Sequence, residues 1–163
     1  MSEFYTELLV KRKPGGKELF VKVSLICLIL LAIPTIFIFT FGLVLVIITI
    51  GLAVFMFSRL DIEFEYLYFN GDLDIDIIYR KMKRKKVYTM NVSDLEMLAP
   101  IQSMEVKHYE KLRTFDYSSG TRSGNEYVMI VSKNGQKERV IFEPNEKIID
   151  DMFYRAPRKV IRK

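Results

Sequence analysis

Residues 62–79 read IEFEYLYFNGDLDIDIIY, two runs of alternating apolar and polar side chains on either side of Asn70-Gly71. Asn-Gly is the strongest two-residue signal for a type I′ turn, whose backbone twist matches that of paired strands. A two-residue turn within Asp61–Arg80 sets Phe69 opposite Asp72, Tyr68 opposite Leu73, Tyr66 opposite Ile75 and Phe64 opposite Ile77. One face of this hairpin then carries Phe64, Tyr66, Tyr68, Leu73, Ile75 and Ile77, a core face. The other carries Glu63, Glu65, Asp72, Asp74 and Asp76, with Leu67 and Phe69.

Two charge features lie on or beside this hairpin. Asp72, Asp74 and Asp76 recur at period two and form an acidic stripe with Glu65. Clustered carboxylates suit hard cations such as Ca²⁺, but the spacing lacks the glycine and distal glutamate of an EF-hand loop. The stripe is read instead as a solvated strand face neutralised by its neighbours. Those neighbours are Arg80-Lys81-Met82-Lys83-Arg84-Lys85-Lys86, six cations in seven residues. Near a membrane such a cluster draws anionic headgroups at about 1 kcal/mol per residue. It reads equally as topogenic charge on a solvated loop. Arg80, Lys81, Lys83, Arg84, Lys85 and Lys86 are the candidate membrane-surface contacts. Nucleic acid is not an expected partner, because only Tyr79 and Tyr88 flank the run and stacking platforms are absent.

Downstream, Val87–Val92 reads as a third strand and Leu95–Ile101 as a turn or fourth strand. Residues 102–117 are open: Val106, Tyr109 and Leu112 fit helical spacing, and Thr114–Tyr117 fits a strand. Residues 118–125 are a loop by composition. Glu126–Ser132 and Glu138–Phe142 form a second hairpin through Asn134-Gly135. Pro144-Asn145-Glu146 opens a final helix to about residue 156, capped by Asn145, with Ile148, Ile149, Met152 and Phe153 on its buried face. A basic tail of Arg155, Arg158, Lys159, Arg162 and Lys163 either lies against a membrane or hangs free.

Upstream, the 36 residues Val23–Ser58 contain no Asp, Glu, Lys, Arg, His, Asn or Gln. About 20 apolar residues cross a hydrocarbon layer of ~30 Å. One helix of this length would run about 54 Å, so a transmembrane hairpin fits better. The spans are placed at Val21–Phe39 and Leu43–Ser58, with the reversal at Thr40-Phe41-Gly42 and a kink at Pro34. Cations flank both outer ends and none lies in the turn, which predicts a multi-pass protein of the cell membrane with both termini cytoplasmic. Before the spans, Phe4, Tyr5, Leu8 and Leu9 recur at i, i+4 and suggest a short amphipathic helix ended by Pro14-Gly15-Gly16. The chain thus divides into a cytoplasmic segment 1–20, a hairpin 21–58 and a cytoplasmic β-rich domain 59–163. Its net charge of +5 is modest and suits a domain held near anionic lipid.

Catalytic chemistry is not expected. His108 is the single histidine and Cys27 the single cysteine, so neither a metal site nor a disulfide can be assembled from them. Gly120–Gly124 lacks the Lys-Ser/Thr of a phosphate loop. Cys27 reads as a small hydrophobe, His108 as a surface residue. No cofactor is implied.

The hairpin-rich order ending in one amphipathic helix resembles the pleckstrin-homology-like domains of bacterial membrane proteins, where two short spans often precede the domain. It is also similar to a small family of membrane proteins of clostridia-type bacteria. The residues that carry the resemblance are the run Phe64–Asp76 and the tail Ile141-Phe142-Glu143-Pro144-Asn145. The implied fold class is α+β: a two-helix transmembrane hairpin followed by a small antiparallel β-barrel or sandwich with a C-terminal helix. In phosphoinositide-binding relatives the basic ligand residues sit around a long first hairpin loop. Here that loop is the tight, uncharged Asn70-Gly71, and the basic run comes one loop later, so headgroup recognition does not carry over. The expected role is a non-catalytic binding module at the inner face of the bacterial membrane, recruiting a protein partner or contacting anionic lipid headgroups. A structural or assembly subunit of a membrane complex is the alternative.

Overall fold

The computed structural model describes residues 4–121, 123–133 and 135–163. The chain forms two units, one of residues up to Lys13 together with Glu63–Lys163, the other of Pro14–Ile62. The apolar unit is therefore an insertion within the β-rich unit, and does not simply precede it.

The N-terminal segment is a strand, β1 (Tyr5–Lys11), and not the amphipathic helix its spacing suggested. An i, i+4 repeat places residues on one face of a strand as well as of a helix, since four is a multiple of two. β1 pairs antiparallel with β2 (Ile62–Phe69), in a register that puts Tyr5 opposite Phe69 and Lys11 opposite Glu63. β3 (Asp72–Tyr79) and β4 (Lys83–Asn91) complete a sheet of order β1-β2-β3-β4. Asn70 and Gly71 have φ of 48° and 98°, the two left-handed positions a type I′ turn needs.

A 3-10 turn at Val92–Asp94, held by Asn91 accepting from Ser93 N, leads into the second sheet. Its strands are β5 (Leu95–Pro100), β6 (Thr114–Asp116), β7 (Tyr127–Lys133) and β8 (Gln136–Phe142), in the order β5-β7-β8-β6. β6 runs parallel to β8 and the other pairs are antiparallel. The expected second hairpin is present; its turn residue Asn134 lies outside the described residues. The tail adds a parallel bridge from Val160 to Leu98, through Leu98 N to Lys159 O and Ile161 N to Leu98 O at 2.7 Å each. It covers the β5 edge. The two sheets remain separate and do not close into a barrel, so the architecture is the sandwich of the two forms expected.

Phe64, Tyr66, Tyr68, Leu73 and Ile75 are buried between the sheets, as the hairpin alternation predicted, while Ile77, the sixth residue of that face, is only half-buried. Tyr66 packs edge-on against Phe142 at 5.7 Å, and Phe64 against Tyr117 at 5.6 Å. Burial raises the Tyr66 hydroxyl well above the ordinary phenol range, and it stays protonated to donate to Tyr117 O at 2.7 Å. The ambiguous stretch resolves into one helical turn, Met104–Lys107, and the short strand β6. Val106, Tyr109 and Leu112 serve a second core on the far face of the second sheet, against Ala99, Val128, Ile130 and Ile141. A final helix, Glu146–Arg155, starts where Asn145 accepts from Ile148 N at 3.0 Å, and buries Ile148, Ile149 and Met152.

The apolar unit holds helices Gly16–Ala32, Thr35–Ile38 and Gly42–Leu60. Two stretches, Gly16–Ile38 and Gly42–Leu60, are long and apolar enough to cross a membrane. The first stretch starts five residues earlier than the expected span, so Lys17 and Lys22 lie on it. Glu18 holds its start by accepting from Gly15 N at 2.9 Å. The first stretch breaks at Pro34, where the missing N–H and the ring end a helix. The reversal falls at Phe39–Phe41, within a residue of expectation. Gly42, Val46, Thr49 and Ala53 form the buried seam of the last helix. A side chain at Gly42 would collide with the Thr35 carbonyl.

Candidate functional site: the basic end of the first sheet

Antiparallel order fixes which strand ends lie together. β1 ends at Lys11, opposite Glu63 near the start of β2. β3 ends at Tyr79, opposite Lys83 at the start of β4. These four positions share one end of the sheet, and the Asn70-Gly71 turn lies at the other. The basic turn Arg80-Lys81-Met82 is thus at the end where the chain leaves for the apolar unit and returns from it.

The turn is tight. Arg80 and Lys81 adopt φ of 49° and 57°, and Met82 N donates to Tyr79 O at 3.0 Å. Met82 is 88% exposed at the tip, an apolar side chain among cations.

Lys83–Lys86 are not in a loop, as the run suggested, but in β4. A bulge decides where they point. Ile75 faces Tyr88 while Asp76 faces Lys86, which leaves Val87 as the extra residue. Without it Arg84 and Lys86 would share the inward face of Tyr88; with it they turn to the outer, acidic face. There Arg84 pairs with Glu65, and its Nε lies 3.7 Å from Asp76. Lys86 Nζ bonds Asp74 at 2.5 Å, Thr89 Oγ1 donates to the same carboxylate at 2.6 Å, and Asn91 donates to Asp72 at 2.6 Å. Burial pushes the Asp74 carboxyl up, but the bonds from Lys86 and Thr89 outweigh it and hold the group below its ordinary value. The acidic stripe is therefore met by the basic run, and no metal-holding cluster occurs among the described residues.

The six predicted site residues divide accordingly. Arg84 and Lys86 are drawn onto the sheet face, while Arg80, Lys81, Lys83 and Lys85 are exposed around the turn. Sequence reasoning missed the contribution of β1: Tyr5 donates to Glu7 at 3.1 Å, and the Glu7 carboxyl shares the outer face with Glu65 and acts on it. Burial, then the Glu7 carboxyl, raise the Glu65 carboxyl above its ordinary value against the pull of Arg84. Reading residues 5–11 at period two would have placed Glu7 on this face.

The other candidates have structural settings. His108 is exposed beside the Met104–Lys107 turn, and Cys27 is exposed on the first apolar helix. Loop 118–121 is tied down: Ser119 donates twice to Glu143, at 2.9 Å through N and 2.6 Å through Oγ, and accepts from Lys13 N at 2.9 Å. The basic tail is docked and does not hang free. Arg155 Nε bonds Asp151 at 2.6 Å, and Arg162 pairs with Asp150 at 3.2 Å while stacking on Phe153.

No curated protein and no solved structure matches the chain significantly. The bacterial PH-like domain family DUF6106 matches residues 2–162, through the apolar insertion as well as both sheets. With nearly its whole length matched and a two-sheet sandwich closed by a C-terminal helix, this chain belongs to that family of bacterial PH-like domains.

Proposed function

We propose that the protein is a non-catalytic binding module held at the inner face of the bacterial membrane by its apolar insertion, with the Arg80–Lys85 end of the first sheet meeting anionic lipid. The observation that carries this reading is the pairing of Lys11 with Glu63. Only Arg12–Gly15 separate β1 from the first apolar helix, and only Asp61 separates the last from β2. Both ends of the insertion are thus tethered to one end of one sheet, which fits an even number of crossings and both termini on one side. Strands lie about 4.8 Å apart, so the β3–β4 turn is within roughly 15 Å of that tether. Arg80, Lys81, Lys83 and Lys85 there would lie within one to two Debye lengths, about 8–10 Å each, of a negative surface at that tether. Met82 would enter the headgroup layer between them.

The test is flotation on neutral and anionic vesicles over a salt series, with residues 14–61 replaced by a short Gly-Ser linker. Salt-sensitive binding to anionic vesicles alone is expected, lost on K81E/K83E/K85E. A folded protein that does not float on anionic vesicles would sink the lipid reading and favour a protein partner at this end.

A further inference from the structure

We propose a second site, for a phosphate monoester or free phosphate, in the groove at the opposite end of the first sheet. This groove of about 560 Å³ lies beside the Asn70-Gly71 turn, between the 3-10 turn after β4 and the end of the last helix. That volume is within the range of small-molecule sites. Of the ten residues lining it, three are cations, Arg155, Arg158 and Lys159, and none is acidic. Asn70, Asn91 and Ser93 supply the neutral polar groups.

The cations are set differently. Arg155 is fixed: its Nε is bonded to Asp151 at 2.6 Å, and Nη2 lies 3.4 Å from Asn70 Oδ1. Its Cδ lies so near Gly71 that a Cβ there would be 3.3 Å away. Asp151 also accepts from Tyr68 at 2.7 Å, so its charge is shared between two donors. With Arg155 balanced by Asp151, Arg158 and Lys159 leave the groove at +2. Arg158 is exposed, and among the described residues Lys159 Nζ reaches only a carbonyl, Ser93 O, at 3.4 Å. Two carboxylates adjoin the lining in sequence, Asp72, which is bonded by Asn91, and Asp94 at the end of the 3-10 turn; neither lines the groove.

A charge of +2 with a planar guanidinium fork and a hydroxyl suits a dianionic, tetrahedral oxyanion better than a monovalent carboxylate. β2 and β3 span about 26 Å, so this groove and the basic turn are different sites with different ligand geometry. The inference uses only the β-rich unit and stands whether or not Arg80–Lys85 meet lipid.

The experiment is calorimetric titration of the full chain in neutral detergent, at low salt, with orthophosphate and with O-phosphoserine, and chloride as the ionic-strength control. Saturable binding is expected for at least one phosphate probe. It should weaken about ten-fold or more in R158E/K159E, as the loss of charge-assisted bonds requires, and stay unchanged in K81E/K83E. Tighter binding of O-phosphoserine would assign a phosphorylated side chain as ligand; equal or tighter binding of orthophosphate would assign a free phosphate. The proposal is overturned by absence of saturable heat with both probes, or by unchanged affinity in R158E/K159E of wild-type thermal midpoint.

Discussion

Arg84 neutralises two carboxylates that the outer face of a sheet does not ordinarily bury: Glu65 is 2% exposed and Asp76 4%. Removing the guanidinium takes the paired cation from Glu65 and leaves Asp76 with only Lys86 opposite it, while the burial of both persists, which costs more than the ion pair contributed. R84A should therefore lose about 2 kcal/mol, read as a lower denaturant midpoint. E65Q should do the opposite. The folded-state carboxyl of Glu65 is raised, so its contribution to stability is complete below the unfolded value of about 4.3 and is lost as pH rises through the folded value. The amide can donate toward Glu7, whose carboxyl acts on this position, and carries no charge to desolvate. E65Q should thus match wild type in acid and equal or exceed it by up to about 1 kcal/mol at neutral pH. A clear loss of stability in E65Q at pH 7 would show that the Arg84 pair outweighs burial. At this scale, the sequence showed acids and cations at complementary spacing. It did not show which would meet, because that depends on the bulge at Val87, which no residue type announces.

Elements were legible where one periodicity fitted and illegible where two did. In the two eight-residue strands of the Asn70-Gly71 hairpin Phe64, Tyr66 and Tyr68, then Leu73, Ile75 and Ile77, recur at period two, and only a strand accommodates that. Residues 4–11 are too few to separate a period of 2 from one of 3.6 at i, i+4 spacing, and the pairing partner that decided the matter lies more than fifty residues away. The helix boundaries near Pro34 and Gly42 followed from backbone chemistry alone. Gly42 serves close approach, since any Cβ meets the Thr35 backbone, whereas Gly51 on the same helix has nothing within 4 Å. G42A should force the two apolar arms apart at a cost of about 1–3 kcal/mol, the usual penalty for overpacking. G51A should be neutral or slightly stabilising, since Ala is the better helix former. Thermal unfolding in detergent, followed by circular dichroism, distinguishes them. Equal behaviour of the two variants would remove Gly42 from the packing seam.

At the scale of the molecule, an insertion between two adjacent paired strands has a consequence that a domain following its anchor does not. The β-rich unit needs β1, because Leu8 and Val10 line its inner side and Phe4 packs edge-on against Tyr68 at 5.9 Å. A fragment of residues 59–163 lacks that strand and exposes the β2 edge, an unpaired row of backbone groups beside Leu67 and Phe69. It should be poorly folded and prone to associate. Replacing residues 14–61 with a linker of a few residues should instead give a folded domain, because Lys11 and Glu63 already face each other across the ladder and a short turn can join them. The closure cost rises by only about 0.6 kcal/mol per doubling of loop length, so a short linker is also the less expensive connection. Hydrogen exchange on the linked protein should show protected amides in β1 and β2 alike. A fragment 59–163 as well protected in β2 and β3 as the linked protein would show that β1 is dispensable, and that the insertion is an anchor hung on the domain, not one threaded through it.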